Sequence, residues 1–138
     1  MTLKFTIPDK PFGKQRPRHG SERTYTPQET KDYEDLVAWS FRQQCGAKSF
    51  PAGTALEMAI MAYKPIPKSV TRATRAKMIT GEIRPTVTPD WDNIGKIISD
   101  ALNKIAYDDD KCIVDGYVRK FYSENPHVDV IIKEAQPY

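Results

Sequence analysis

Asp90 and Asp92 stand one residue apart in the run Pro89-Asp90-Trp91-Asp92-Asn93-Ile94-Gly95-Lys96, with Lys96 four residues beyond Asp92. An acidic triplet, Asp108-Asp109-Asp110, follows. Between residues 85 and 115 seven carboxylates face three lysines, a local charge of −4 in a chain whose net charge is +3. Hard divalent cations take oxygen ligands, and Mg²⁺ in particular uses one or two carboxylates while keeping waters and substrate phosphate oxygens. Asp90 and Asp92, at a loop-to-helix junction, turn toward one point and supply one side of such a site; Asp109 or Asp110 supplies the other. Lys96 then stands where its cation neutralises a scissile phosphate or orients the attacking water. This is the chemistry of a metal-dependent nuclease. The same Asp-x-Asp opening with glycine in the sixth place imitates a calcium EF-hand, but Ile94 fills the fifth place and Ala101 the twelfth, where glutamate is needed.

Charge along the chain agrees with a phosphate polymer as partner. Residues 1–31 hold seven basic and three acidic groups, and residues 64–84 hold six basic and one acidic. Lys14, Arg16 and Arg18 alternate, so an extended backbone directs all three to one side, and Tyr25 offers a ring for a base or sugar. Lys68, Arg72 and Arg75 recur at helical spacing as a second basic stripe. Two basic segments gripping a backbone, with its phosphate brought to cations on the acidic segment, explain the pattern. Solvated surface charge is the bland alternative.

The positioning elements follow from periodicity. Leu3, Phe5 and Ile7 alternate as a strand ended by Pro8, and residues 9–27 read as a long loop. Thr26 as N-cap, Pro27 in the first position and Glu29 predict a helix to about Gln44, with Tyr33, Leu36, Val37, Ser40 and Phe41 on its buried face. Trp39 lies off that stripe, at the core edge or in a dimer contact. Residues 54–63 form a second strand with Leu56, Met58, Ile60 and Ala62 inward. Its other face, from Ala55 through Glu57, Ala59 and Met61 to Tyr63, is too apolar for full exposure and predicts that something packs there, a second subunit being one candidate.

A short helix runs from a Ser69 cap to Thr80, closed by Gly81, and an extended link covers Glu82–Pro89. Ile94, Ile97, Ile98, Ala101, Leu102 and Ile105 predict a helix from Asp92 to about Ile105 with Asp92 and Lys96 on its polar face. Strands over Cys112–Tyr122 and His127–Lys133, joined by Glu124-Asn125-Pro126, predict a hairpin. The order β-α-β-α-α-β-β gives an α+β fold, a single mixed four-stranded sheet with flanking helices.

At 138 residues the chain amounts to one domain, residues 1–138, with association into a homodimer expected for its size. No apolar run reaches the roughly 18 to 20 residues that span a bilayer, and the start lacks a signal-peptide pattern. A cytoplasmic protein without membrane partners is expected, with Cys45 and Cys112 reduced and packed, and with His19 and His127 outside the chemistry.

The Pro89–Lys96 run, followed by Asp100-Ala101-Leu102-Asn103 and Tyr107-Asp108-Asp109-Asp110-Lys111-Cys112-Ile113-Val114, closely resembles the signature of RusA-like Holliday junction resolvases. Gly13-Lys14-Gln15-Arg16-Pro17-Arg18 followed by Tyr25-Thr26-Pro27 is similar to the branch often encoded by phages and prophages. The resemblance implies a homodimeric, Mg²⁺-dependent endodeoxyribonuclease, with Mn²⁺ as a substitute, that nicks two strands symmetrically at a four-way DNA junction in recombination and repair. It puts the catalytic aspartates on Asp90, Asp92 and Asp110, the catalytic lysine on Lys96, and the second member of an Asp-Asp pair on Asp109. Asp108 is an extra acid here, and Cys112 replaces the glutamine of many relatives. Two alternatives stand beside this reading: a protein that binds branched DNA without cutting, its carboxylates serving as helix caps, and a nuclease directed at RNA.

Overall fold

A computed structural model describes residues 1–14 and 27–138. Among these, β1 (Thr2–Ile7), α1 (Gln28–Cys45), β2 (Leu56–Pro65), α2 (Arg72–Thr80), α3 (Trp91–Ala101), β3 (Ile113–Ser123) and β4 (His127–Glu134) follow the expected order, with a 3₁₀ turn at Asp110–Cys112 before β3. The four strands form one mixed sheet in the order β1-β4-β2-β3, an α+β arrangement. β4 is antiparallel to both β1 and β2, whereas β2 and β3 are parallel.

The expected hairpin between the last two strands does not form, because β2 lies between them. Burial explains the choice. Val128, Val130 and Ile132 of β4 are fully buried, as an interior strand requires, whereas β3 carries exposed Val114, Tyr117 and Arg119 and takes the edge. Residues 124–126 carry the chain past the Pro65 end of β2. Two strand spacings are about 10 Å, within the reach of so short a link.

α1 and α3 cover one face of the sheet. Val37 and Phe41 from α1 and Ile94, Ile97 and Ile98 from α3 meet Leu56, Met58 and Ile60 of β2 and the inward residues of β1 and β4 in a single buried cluster. Phe5 and Phe41 meet edge to face at 5.4 Å. Leu36 only borders this core, and Trp39 is 55% exposed.

On the opposite face Ala59 is buried and Tyr63 stacks between Phe121, at 5.3 Å, and His127, at 4.3 Å. The Arg84 guanidinium caps the Phe121 ring at 4.4 Å, so this chain's own aromatic ladder covers part of the apolar second face.

Three boundaries differ from expectation. α2 starts at Arg72 with Thr71 as its cap, the Thr71 hydroxyl accepting from the Thr74 amide at 3.2 Å, so Ser69 is not the cap. α3 stops at Ala101 rather than near Ile105. Lys104 takes φ 65° and the chain turns, yet Leu102 stays fully buried and Ile105 still packs against the core from that turn, which is why helical periodicity ran on. α1 has Pro27 at its N-cap, and Thr26 lies outside the described residues. Gly81 closes α2 with positive φ, as expected, and Gly46 does the same for α1. Cys45 and Cys112 are free thiols, Cys45 buried and Cys112 half-buried. Among the described residues no helix is long and apolar enough to cross a membrane.

Candidate active site

The link before α3 is tied to the sheet by lysines. Lys120 Nζ donates to the Val87 carbonyl at 2.6 Å, Lys64 Nζ donates to the Thr88 carbonyl, and Arg84 Nε donates to the Lys120 carbonyl at 3.0 Å. These anchors deliver Asp90 to the start of α3. Asp90 has N-cap backbone angles, but its carboxylate makes no capping hydrogen bond. Asp92, in the first turn, accepts from the Asn93 amide at 3.0 Å.

The N-terminal segment docks on the same helix end. The Lys14 amide donates to the Asn93 carbonyl at 3.0 Å. A Cβ on Gly13 would lie 2.9 Å from Pro89 Cβ and 3.2 Å from Asn93 Cβ, so close approach requires glycine there. Lys14 Nζ turns inward, 3.2 Å from Glu34 Oε2 and 3.5 Å from Asp100 Oδ2. Lys96 Nζ approaches the same Asp100 oxygen at 3.3 Å, its side chain 61% exposed. Asp100 therefore joins α3's exposed lysine to the N-terminal segment.

The second wall is the turn before β3. The Asn103 side-chain oxygen accepts from the Asp110 amide at 2.9 Å, and Asp109 accepts from the Lys111 amide at 2.9 Å. Tyr107 hydroxyl donates to the Ser99 carbonyl at 2.7 Å, fixing this turn to α3. Burial, a hydrogen bond with Asp109 and the negative charge of Asp100 and Asp109 push the Asp110 carboxyl above the usual range, against the opposing pull of Lys96. The Lys111 amide, then the Asp110 hydrogen bond, hold Asp109 below it. Asp108 instead pairs with Lys104 on the exposed side of the turn.

Between the walls lies a cleft of about 350 Å³ with Asp92, Lys96 and Asp110 at its rim and Met58, Ile60 and Val118 among its floor. A shallower depression of about 320 Å³ adjoins it, shared by Asp90, Asp92 and Lys120. Asp92 thus borders both. Among the described residues no three carboxylate, histidine or cysteine side chains converge as a formed metal cage. The donor set nonetheless suits a hard cation in kind: oxygen ligands, with mutual repulsion at Asp109, Asp110 and Asp100 that a cation would relieve.

The other expected contacts are dispersed. Arg16, Arg18 and Tyr25 lie outside the described residues. Lys68 precedes α2 and so does not share its helical face; Arg72 and Arg75 do, Arg75 lying 3.5 Å from Glu124. Sequence reasoning gave no role to Asp100, Asn103, Lys64 or Lys120. The Asp100–Asn103 run was a signal for the first two, while the lysines met their carbonyl partners only through the fold.

Two comparisons bear on this cleft. The family model described as endodeoxyribonuclease RusA matches residues 8–133. The chain is 36% identical over 139 residues to the uncharacterized protein YqaN of Bacillus subtilis (strain 168), covering 96% of each. The match begins just after β1 and runs through both walls of the cleft, all of β2 and β3 and nearly all of β4, and the chain belongs to the RusA family of endodeoxyribonucleases.

Proposed function

We propose that this protein is a divalent-metal-dependent, structure-selective endodeoxyribonuclease that, as a homodimer, resolves four-way DNA junctions by paired symmetric nicks in recombination and repair. The observation that carries this reading is the shared cleft rim of Asp92, Lys96 and Asp110, drawn from α3 and from the turn before β3. Family membership supports the reaction class.

Asp90 and Asp92 on one wall, with Asp110 and Asp109 on the other, would hold Mg²⁺, with Mn²⁺ as a substitute. Such an ion supplies Lewis-acid polarisation of the phosphate and a bound water of lowered pKa. Lys96, steered by Asp100, offers its ammonium to the charge that develops on the phosphoryl oxygens. Asn103 and Tyr107 keep the Asp109–Asp110 turn at a fixed distance from α3. Lys68, Arg72 and Arg75, with Arg16, Arg18 and Tyr25, grip backbone and stack on bases, contacts that fix position without reading sequence. The partly buried pairing of Lys14 with Glu34 and Asp100 favours a positioning role for it over a grip on DNA. A twofold enzyme matches the need to cut two strands of a nearly symmetric junction.

The test compares a labelled four-way junction with a linear duplex, in Mg²⁺ or EDTA, for the natural protein and Asp92→Asn. Paired nicks on the junction alone, requiring Mg²⁺ and Asp92, are expected. Tight junction binding without cleavage under any divalent metal would replace this reading with a non-cutting binder of branched DNA. Asp109 caps the turn before β3 as that alternative expects, whereas Asp90 makes no capping hydrogen bond and is left unexplained by it.

A further inference from the structure

Two glycines border the cleft without any backbone reason to be glycine. Gly95 lies in the middle of α3 and Gly116 within β3, and among the described residues the positive-φ glycines are Gly46, Gly53 and Gly81. Crowding does not demand them either. A Cβ on Gly95 would meet Val118 Cγ2 at 3.6 Å, and one on Gly116 would meet Ile113 Cγ2 at 3.5 Å, both ordinary contacts. Gly13, which has no room for a Cβ, is the contrasting case. Glycine inside a helix or strand is less stable than alanine, so both positions carry a cost that the fold does not explain.

What the two share is the cleft. Gly95 lines the α3 wall, and Gly116 lies in the apolar floor, paired with Met58 in the sheet as its neighbour Val118 is with Ile60. Side chains at either position would project into this space. At about 350 Å³ the cleft is at the small end of the range typical of small-molecule sites, roughly 300–1,000 Å³. Its rim carries the cation of Lys96 and the carboxylates Asp92 and Asp110, and at its mouth the Trp91 side chain is 64% exposed. A ligand suited to it has a phosphate for the rim, a flat apolar body for the floor and a π-face for the tryptophan.

We infer that the Gly95–Gly116 cleft is a nucleoside subsite, receiving the unstacked base and sugar of the nucleotide that adjoins the cleaved phosphate. The inference rests on the nuclease reading above. A phosphate at the Lys96 rim leaves its neighbouring nucleoside beside the cleft mouth. Unstacking a base is least costly where stacking is already interrupted, as at a branch point. Aromatic stacking and an apolar floor retain the base whatever its identity.

The experiment fills the cleft with Gly95→Ala and with Gly116→Val. Thermal midpoints are expected to hold or rise, and junction affinity in EDTA to hold, while cleavage of an intact junction falls roughly 10- to 100-fold through misplacement of the reacting phosphate. A junction with an abasic site next to the cut should be cut as poorly by the natural protein as the intact junction is by the filled variants. A second readout needs no cleavage: in EDTA, deoxynucleoside 5′-monophosphates should shift the Gly95 and Gly116 amide resonances, and inorganic phosphate should not. Equal shifts with both probes, shifts with neither, or normal cleavage by the stable filled variants would overturn the subsite. If Gly116→Val instead dissolves a dimer with the glycine shifts absent, the cleft is a subunit contact and the inference fails. If the natural protein cleaves nothing, the nuclease reading falls, while the resonance test still decides whether the cleft takes a nucleotide.

Discussion

Lys14 and Lys96 meet on one oxygen: their ammonium groups lie 3.5 and 3.3 Å from Asp100 Oδ2, although one residue comes from the N-terminal segment and the other from the middle of α3. Glu34 holds the far side of Lys14 at 3.2 Å. Two cations and two carboxylates balance, and the balance leaves Lys96 steered by Asp100 yet largely in solvent. Removing Lys14 leaves Glu34 and Asp100 in excess, which draws Lys96 down onto Asp100. Lys14→Met should lower kcat with little change in junction affinity, and lower stability by about 1–3 kcal/mol through the partly buried groups it leaves unpaired. Adding Glu34→Gln should restore much of the activity. A loss of junction affinity that Glu34→Gln cannot repair would make Lys14 a DNA contact instead.

Asn103 gives a second prediction. Its side-chain oxygen receives the Asp110 amide at 2.9 Å, so it fixes the backbone of one cleft wall. Asn103→Ala should reduce unfolding free energy by about 1 kcal/mol and lower cleavage further than that loss of folded protein explains. Asn103→Asp keeps the acceptor but adds a negative charge beside Asp110, so it should recover stability only in part. Urea denaturation and junction-cleavage rates on the same preparations check both.

Gly13→Ala forces a Cβ within 2.9 Å of Pro89 Cβ and 3.2 Å of Asn93 Cβ. The strain should lower stability by about 1–3 kcal/mol and push residues 13 and 14 off the start of α3. Chemical denaturation measures the first effect. Amide exchange at Lys14, whose N–H donates to Asn93, measures the second.

Alkaline pH should unfold the protein through two tyrosines. Burial, joined for Tyr33 by Asp9 and for Tyr107 by Asp110 and Asp100, raises both hydroxyls well above their ordinary value of 10.0. The unfolded chain therefore releases these protons first. Their contribution is complete below about pH 10 and is lost as pH rises from there toward the folded values, with a slope of about 1.4 kcal/mol per unit for each. Urea midpoints should fall above about pH 10, and the decline should be shallower in Tyr33→Phe and Tyr107→Phe.

Arg72 and Arg75 share a face of α2, but Arg75 has Glu124 at 3.5 Å. Arg72→Ala should reduce the salt slope of junction binding by about 1, the mark of one lost phosphate contact. Lys14→Met should leave that slope unchanged. Filter-binding titrations over a series of salt concentrations, in EDTA, separate the two.

Element type and order were legible because each depends on local period. The alternation of Leu3, Phe5 and Ile7 and the recurrence of Ile94, Ile97 and Ile98 record which face is buried, and that face was read correctly. Strand neighbours were not legible from the same signal. A short polar link between two strands suggests a hairpin, yet full burial of Val128, Val130 and Ile132 on β4 and the many exposed residues of β3 decide the order. The end of α3 was misread because Leu102 stays buried and Ile105 stays packed on the core after the helix has stopped. Of the expected site residues, Asp92, Lys96 and Asp110 come to one cleft and Asp90 to the depression beside it, while the Asp100–Asn103 run held two further residues that tie the walls together. Lys14 read as one more member of a basic run, since nothing local reveals that Glu34 and Asp100 fold toward it.

The parallel pairing of β2 with β3 has a consequence for the order of events in folding. Leu56 pairs with Ile113, and α2, α3 and the Asp109–Asp110 turn all lie in the crossover between them. Such distant pairing forms only after a large loss of chain entropy, so it belongs to the slow part of folding. Asp92 and Asp110 share no cleft until that pairing is made. A complete chain caught half-folded carries all the acidic residues of the candidate site but not the cleft they border, so any cutting that depends on that cleft waits for the finished sheet.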